Sequence, residues 1–146
     1  MSKKLHILFL PVLLILFQTP VFGDELEAMT PGLNECLLDA LGKAMIRQCY
    51  LEADKYWGQK LEKVYPRLLA RCKQAANPEA CRKKTIKMEK AWLEYQELMG
   101  DIIFRNGLDK QANENPDVDQ YEDSGKFIAN STMNQFKLIN RIVNGE

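Results

Sequence analysis

The side chains best suited to chemistry in this chain are carboxylates that lie close in sequence to aromatic rings. Glu89, Glu94 and Glu97 surround Trp92 and Tyr95, and glycoside hydrolases use paired carboxylates beside the bound sugar. Charged residues on an amphipathic helix, however, normally form its solvated face. The sequence therefore favours a protein that is not an enzyme.

The first residues have the three parts of a secretory signal peptide in the required order. Lys3 and Lys4 precede an apolar run over residues 5–17, and the small residues Val21 and Gly23 lie just before a polar stretch. This arrangement is typical of an exported precursor. We predict that export is followed by cleavage after Gly23.

Export limits the chemistry open to the mature chain. Removal of residues 1–23 also removes His6, the single histidine, and without histidine there is no Ser-His-Asp or Cys-His arrangement and no histidine metal ligand. An uncleaved anchor is the alternative, but the apolar run is short for a membrane span and contains Pro11. We predict a single periplasmic or secreted domain over residues 24–146, without stable membrane insertion.

Composition and charge exclude further classes of function. The chain has 20 basic and 20 acidic residues, and loss of two leader lysines leaves it slightly acidic. Nucleic-acid binding needs a basic face, so no nucleic-acid partner is expected. We find neither a glycine-rich phosphate loop nor metal-ligand spacing, and we predict no cofactor and no metal site.

The sequence predicts an all-α fold, which positions the carboxylates and aromatic residues named at the outset. Helix formers dominate the middle of the chain, and alternating β-branched runs are absent. Three capping residues followed by proline mark helix starts, at Thr30-Pro31, Asn77-Pro78 and Asn115-Pro116. We predict a small antiparallel helical bundle, with about three main helices and a short N-terminal helix.

Apolar residues at helical spacing define the three main helices. The first, over about residues 44–75, carries the stripe Trp57, Leu61, Tyr65, Leu68 and Cys72. The second, over about 78–105, carries Cys81, Thr85, Met88, Trp92, Tyr95, Met99 and Ile102. The last, over about 131–144, carries Met133, Phe136, Ile139 and Val143.

An acidic segment separates the second and third main helices. Residues 106–126 contain six acids against two lysines, and we interpret them as a polar loop with one short helix after Pro116. A solvated loop is the simple interpretation. The functional interpretation is a surface that attracts a basic partner, through Asp117, Asp119, Glu122 and Asp123.

Four cysteines in an exported chain predict two disulfides. Three pairings are possible, but helical hairpins favour cysteines equidistant from a turn. Cys36 and Cys49 are centred near Gly42, and Cys72 and Cys81 are centred on the break before Pro78. We therefore predict the bridges Cys36–Cys49 and Cys72–Cys81, with a bend at Gly42.

The second hairpin also predicts which side chains face each other. In a helical hairpin, residues equidistant from the turn lie opposite each other. With the turn before Pro78, Leu61 lies opposite Trp92 and Tyr65 lies opposite Met88. We interpret these aromatic residues first as core contacts.

These residues resemble the LprI-like family of small secreted helical proteins. Its members tend to show a cysteine pair, then Asp-x-x-Leu-Asn-x-x-x-Tyr, then Gln-x-x-Trp-[Leu/Ile]-x-[Tyr/Phe]-Arg-Asp. The match covers about residues 33–99 and rests on Cys36, Cys49 and the motif residues Leu61, Tyr65, Trp92 and Tyr95. The chain departs from the family pattern at Gly58, Glu62, Gln96 and Glu97.

The resemblance implies a non-catalytic helical module, with lysozyme inhibition described for the namesake. The leading hypothesis is thus a secreted or periplasmic binding module, inhibitor-like, whose protein partner is a basic lysozyme-like enzyme. The alternative is a structural or envelope-assembly partner without inhibitory activity. Exposed apolar patches would support the alternative, since monomers rarely leave them uncovered.

Overall fold

The computed structural model describes residues 25–104 and 118–145, and these ranges form five α-helices without a strand. The helices are α1 (Glu25–Met29), α2 (Leu33–Asp39), α3 (Lys43–Arg71), α4 (Pro78–Phe104) and α5 (Val118–Asn144), with a 3-10 turn at Cys72–Gln74. The predicted all-α, disulfide-stapled bundle is confirmed. Within these ranges no helix has an apolar stretch long enough to cross a membrane. The predicted signal peptide lies outside the described residues.

The bend predicted between the first two cysteines is present. Gly42 has a φ of 110°, a conformation that residues with a Cβ rarely adopt, and α2 ends before it while α3 begins after it. The bend brings the Cα atoms of Cys36 and Cys49 to 5.7 Å, with their sulfurs bonded. The first predicted bridge is confirmed.

The connection between α3 and α4 also follows the prediction. The Asn77 side chain accepts a hydrogen bond from the backbone N–H of Ala80 at 3.0 Å and so caps α4. Cys72 and Cys81 are bonded across this turn, with Cα atoms 5.4 Å apart. The second bridge and the break before Pro78 are therefore confirmed.

The last helix is longer than the sequence predicts. α5 begins at Val118, close to the helix start predicted at Asn115-Pro116, but it continues without a break to Asn144. The predicted short helix and the predicted last helix are therefore one helix, and residues 118–126 are helical rather than a loop. Tertiary packing explains the difference. Ser124 and Gly125 are buried, and a Cβ on Gly125 would lie 2.9 Å from the Tyr50 Cβ. This close approach to α3 stabilises a helical start whose own sequence is polar.

α5 packs along α3 and forms most of the interior with it, while α4 packs chiefly on α5 rather than on α3. The main apolar cluster, which we call the closed core, contains Leu26, Leu33, Cys49, Tyr50, Ala53, Trp57, Ala129 and Met133. A smaller cluster farther along α3 contains Leu61, Val64, Leu68 and Ile139, with Tyr65, Trp92, Phe136 and Val143 packed against it. The predicted stripes of the first and last main helices are thus confirmed.

The inward face of α4 differs from its predicted stripe. Met88 and Tyr95 are exposed, whereas their neighbours Glu89 and Gln96 are half-buried. Tyr65 lies close enough to Glu89 for its carboxylate to raise the pKa of the Tyr65 hydroxyl, whereas Met88, which was predicted to face Tyr65, is exposed. The physical reason is that polar contacts, which apolar periodicity does not reveal, set the rotation of α4.

Candidate functional site

A groove of about 410 Å³ lies between α3 and α4, and we call it the α3–α4 groove. Its α3 wall consists of Asp54, Gly58, Leu61, Glu62, Tyr65 and Pro66. Its α4 wall consists of Glu89, Trp92, Leu93 and Gln96, and Thr132 of α5 completes the lining. The groove exists because α4 leans on α5 and leaves a space beside α3.

A hydrogen-bond network joins all three main helices at one end of the groove. Gln96 Nε2 donates to Thr132 Oγ1 at 2.7 Å and to the Ile128 carbonyl at 3.0 Å. The Thr132 hydroxyl in turn donates to Asp54 Oδ1 at 2.6 Å. A hydrogen bond to an ionised carboxylate is stronger than a neutral one. The network therefore holds the three helices in register at the groove.

The ring of Trp92 forms a wall of the groove. Its indole N–H donates to Ser131 Oγ at 3.0 Å, and the ring packs against the small cluster that includes Leu61. The side chain is half-buried, so one part of the ring is fixed by α5 while another part faces the groove. This is the arrangement of a preorganised binding surface.

Tyr65 and Glu89 form the opposite end. Burial and, after it, the Glu89 carboxylate raise the pKa of Tyr65 to about 12, although the charge of Arg82 acts the other way. The hydroxyl oxygen is shielded from solvent and has no hydrogen-bond partner of good geometry within residues 25–104 and 118–145. Tyr65 is therefore neutral at physiological pH and keeps a proton that it can donate.

The groove carries negative charge. Asp54 and Glu89 are half-buried and Glu62 is exposed, and no lysine or arginine of the described residues makes an ion pair with any of the three. Aromatic and aliphatic walls with a few converging polar groups are typical of ligand sites. The lining suits a ligand with an apolar stem and a cationic or hydrogen-donating head.

The structure brings together three of the four predicted motif residues. Leu61 packs together with Tyr65 and Trp92 as predicted, and all three line a groove that the sequence did not predict. The core assignment of Tyr95 is wrong, because 52 % of its surface is exposed. Its ring instead contacts Phe127 edge-on, with centroids 6.1 Å apart.

The predicted acidic contact residues do not line the groove. Glu122 is half-buried and Asp123 is exposed near the start of α5. Asp119 belongs to the same helix, but its side chain is outside the described residues, as is Asp117. The three glutamates considered as catalytic candidates do not lie in one site. Glu89 lines the groove, whereas Glu94 and Glu97 are exposed.

Two residues of the groove and one hydrogen-bond acceptor of the core were not recognised from the sequence. Asp54 and Thr132 anchor the network described above, and Thr30 accepts a hydrogen bond from the buried Trp57 indole at 2.8 Å. A proline after Thr30 suggested a helix cap, but Gly32 precedes α2 instead. No local signal distinguishes these polar residues, because their partners are distant in sequence.

Other depressions offer less chemistry. A wider one of about 720 Å³ between α1 and α5 holds the ion pair of Lys137 with Glu25 and the further positive charge of Arg141. A small cavity of about 60 Å³ lies beside the Cys36–Cys49 bridge. Within the described ranges, no three potential metal-ligating side chains converge. The α3–α4 groove is accordingly the candidate site.

No protein-family model matches the chain, and neither curated proteins nor solved structures gave a match.

Proposed function

We propose that the protein is a non-catalytic binding module, secreted or periplasmic, that binds and inhibits a basic lysozyme-like enzyme. The observation that carries the proposal is the α3–α4 groove. It collects Leu61, Tyr65 and Trp92, on which the resemblance to the LprI-like family rests, around three carboxylates. A preformed groove on disulfide-linked helices can bind a partner at little cost in conformational entropy.

The two bridges support a location outside the cytoplasm. Disulfides form and persist in oxidising compartments and are rare in the cytosol. The bridges Cys36–Cys49 and Cys72–Cys81 include every cysteine of the chain. This agrees with the proposed export and removal of residues 1–23.

The acidic start of α5 supports a basic partner. Glu122 and Asp123 lie about nine residues from Thr132, which corresponds to roughly 14 Å along the helix. We propose that they, with Asp117 and Asp119, guide a basic enzyme towards the groove. Such steering accelerates association and weakens as salt screens it.

The proposal is tested with purified residues 24–146 in a lysozyme activity assay, in parallel with a binding measurement. We expect saturable inhibition that weakens at high salt. One variant neutralises Asp117, Asp119, Glu122 and Asp123 to the corresponding amides, and its matched control neutralises the exposed Glu35, Asp39, Glu79 and Glu97. Only the first variant should slow association.

The results separate function from site. Absence of inhibition at a large molar excess would reject the proposed function. Equal association rates for the two variants would keep the function but remove the acidic residues from the contact surface.

A second candidate function, an envelope-assembly partner, is favoured by one specific observation. Leu38 and Leu41, beside the bend at Gly42, are 86 % and 90 % exposed. Apolar side chains exposed together suit a protein contact. Crosslinking from position 41 in the native envelope tests this candidate, and recovery of one partner that Leu41→Ser abolishes would support it. Crosslinks that Leu41→Ser leaves unchanged would contradict it.

A further inference from the structure

The α3–α4 groove gathers three carboxylates that form no ion pair with a described lysine or arginine. Elsewhere Glu79 pairs with Lys83 at 3.2 Å, and Glu27 pairs with Lys126 at 3.9 Å. In the groove, Asp54, Glu62 and Glu89 have no such partner among the described residues. The negative charge is therefore available to a ligand.

Cations of the chain lie over some of its rings. Lys60 Nζ lies 4.9 Å from the Tyr56 ring centroid, and the Arg47 guanidinium lies 5.4 Å from that of Phe104. No described cation lies over Trp92. Trp92 has the aromatic face that attracts cations most strongly.

We propose that the α3–α4 groove binds an arginine side chain supplied by a protein partner. The guanidinium lies against Trp92 and is held by the Glu62 and Glu89 carboxylates, while the aliphatic stem contacts Leu61 and Leu93. That the arginine belongs to a protein rests on the proposed function above. The arginine assignment rests on the lining of the groove.

Arginine fits this lining better than lysine does. Its planar guanidinium can stack on an aromatic ring and donate to two carboxylates at once, whereas an ammonium is a compact and strongly hydrated charge. A volume of about 410 Å³ lies within the range of ligand sites and admits the whole side chain.

The experiment uses acetyl-arginine amide as the probe and acetyl-citrulline amide as its neutral isostere. Two-dimensional NMR follows the two tryptophan indole N–H signals, with the buried Trp57 as internal control. We expect the arginine probe to shift the Trp92 signal saturably and to leave Trp57 unchanged. The citrulline probe should bind at least about tenfold more weakly than the arginine probe, since it lacks the charge.

Variants locate the site. Glu62→Gln with Glu89→Gln should weaken the arginine probe about tenfold. The matched control, Glu52→Gln with Glu94→Gln, makes the same change on the same two helices outside the groove. It should bind as the unaltered protein does, and circular dichroism establishes that both variants are folded.

Several outcomes would overturn the assignment. These are equal binding of arginine and citrulline, equal binding of acetyl-lysine amide with a free ε-amine, equal loss in both variants, or no shift of Trp92 at saturating probe. The lysozyme assay is independent of this test. Probe binding without inhibition leaves the groove assignment intact and rejects the proposed function. Inhibition without probe binding does the reverse.

Discussion

The two tryptophans of this protein have similar surroundings in sequence and different positions in the fold. Both lie on long amphipathic helices, and each indole donates to a hydroxyl: Trp57 to Thr30 and Trp92 to Ser131. Trp57 is 3 % exposed in the closed core, whereas Trp92 is half-buried on the wall of the α3–α4 groove.

The difference follows from what covers each ring. Helices α1, α2 and α5 surround the first half of α3, and Phe136 contacts Trp57 with ring centroids 5.5 Å apart. Beside the second half of α3, α4 leans on α5 and leaves a space. An aromatic residue at helical spacing therefore identifies a contact surface, and the arrangement of neighbouring helices decides whether that surface is closed.

Replacing each tryptophan in turn should separate the two regions most strongly. Trp57→Ala should lower the free energy of unfolding by about 4 kcal/mol, because a large buried ring leaves a cavity. Trp92→Ala should cost less than about 2 kcal/mol, because much of its ring is already solvated. Urea unfolding monitored by far-ultraviolet circular dichroism measures both. Equal losses would show that the groove wall is as much core as Trp57.

Removing the hydroxyl that accepts each indole hydrogen bond should also destabilise the protein more at Trp57 than at Trp92. Thr30→Val should cost about 2 kcal/mol, because it leaves the buried Trp57 N–H without its acceptor. Ser131→Ala should cost less than about 1 kcal/mol, since water can reach the half-buried Trp92. The measurement is thermal unfolding of the oxidised proteins. A larger loss for Ser131→Ala would contradict the comparison.

Two glycines should respond with opposite signs. In Gly125→Ala the new Cβ meets Tyr50. The overpacking should outweigh the gain in helix propensity and lower the free energy of unfolding by about 1 kcal/mol. Gly58 faces open space in the groove, so Gly58→Ala should stabilise the protein by up to about 1 kcal/mol. Denaturant midpoints of the two variants give the signs. A stabilising Gly125→Ala would mean that α3 and α5 are farther apart than described.

The smallest effect is expected for Tyr65→Phe. At neutral pH its free energy of unfolding should change by less than about 0.5 kcal/mol, because the hydroxyl has no well-formed hydrogen bond to lose. At high pH the two proteins should diverge. The folded state keeps the Tyr65 proton up to a pKa of about 12, whereas the unfolded state releases it near the ordinary value of 10.0.

Between these two values the unfolded state binds fewer protons, so wild-type stability falls as pH rises. The Tyr65→Phe variant should not show this part of the decrease in stability, because phenylalanine has no proton to release. The test compares the unfolding free energies of both proteins at pH 8 and pH 11, which removes the effect of the other tyrosines. An unchanged difference between the two pH values would show that Tyr65 titrates normally.

Much of the fold was predictable because its signals are local. Cysteine spacing, the cap at Asn77 and the glycine at Gly42 predicted both bridges and the breaks between helices, as observed. A helix start was predicted at Asn115-Pro116, and α5 begins at Val118. Its continuation into the last helix was not predictable, because the stabilising contact joins Gly125 to Tyr50, residues far apart in the chain. The groove itself was not predicted, because Leu61, Tyr65 and Trp92 were expected to meet as core contacts rather than along an open wall.

The sequence by itself determined the helical class, the apolar stripes of α3 and α5 and the pairing of the cysteines, because each depends on spacing within one helix or across one turn. Only the tertiary structure decided that α4 turns Glu89 and Gln96 inward instead of Met88 and Tyr95. The contacts that set this rotation join Gln96 to Thr132 and Thr132 to Asp54. Hydrogen bonds between polar residues on three separate helices leave no periodic pattern in the chain, and the groove that they position becomes visible only when the helices are packed.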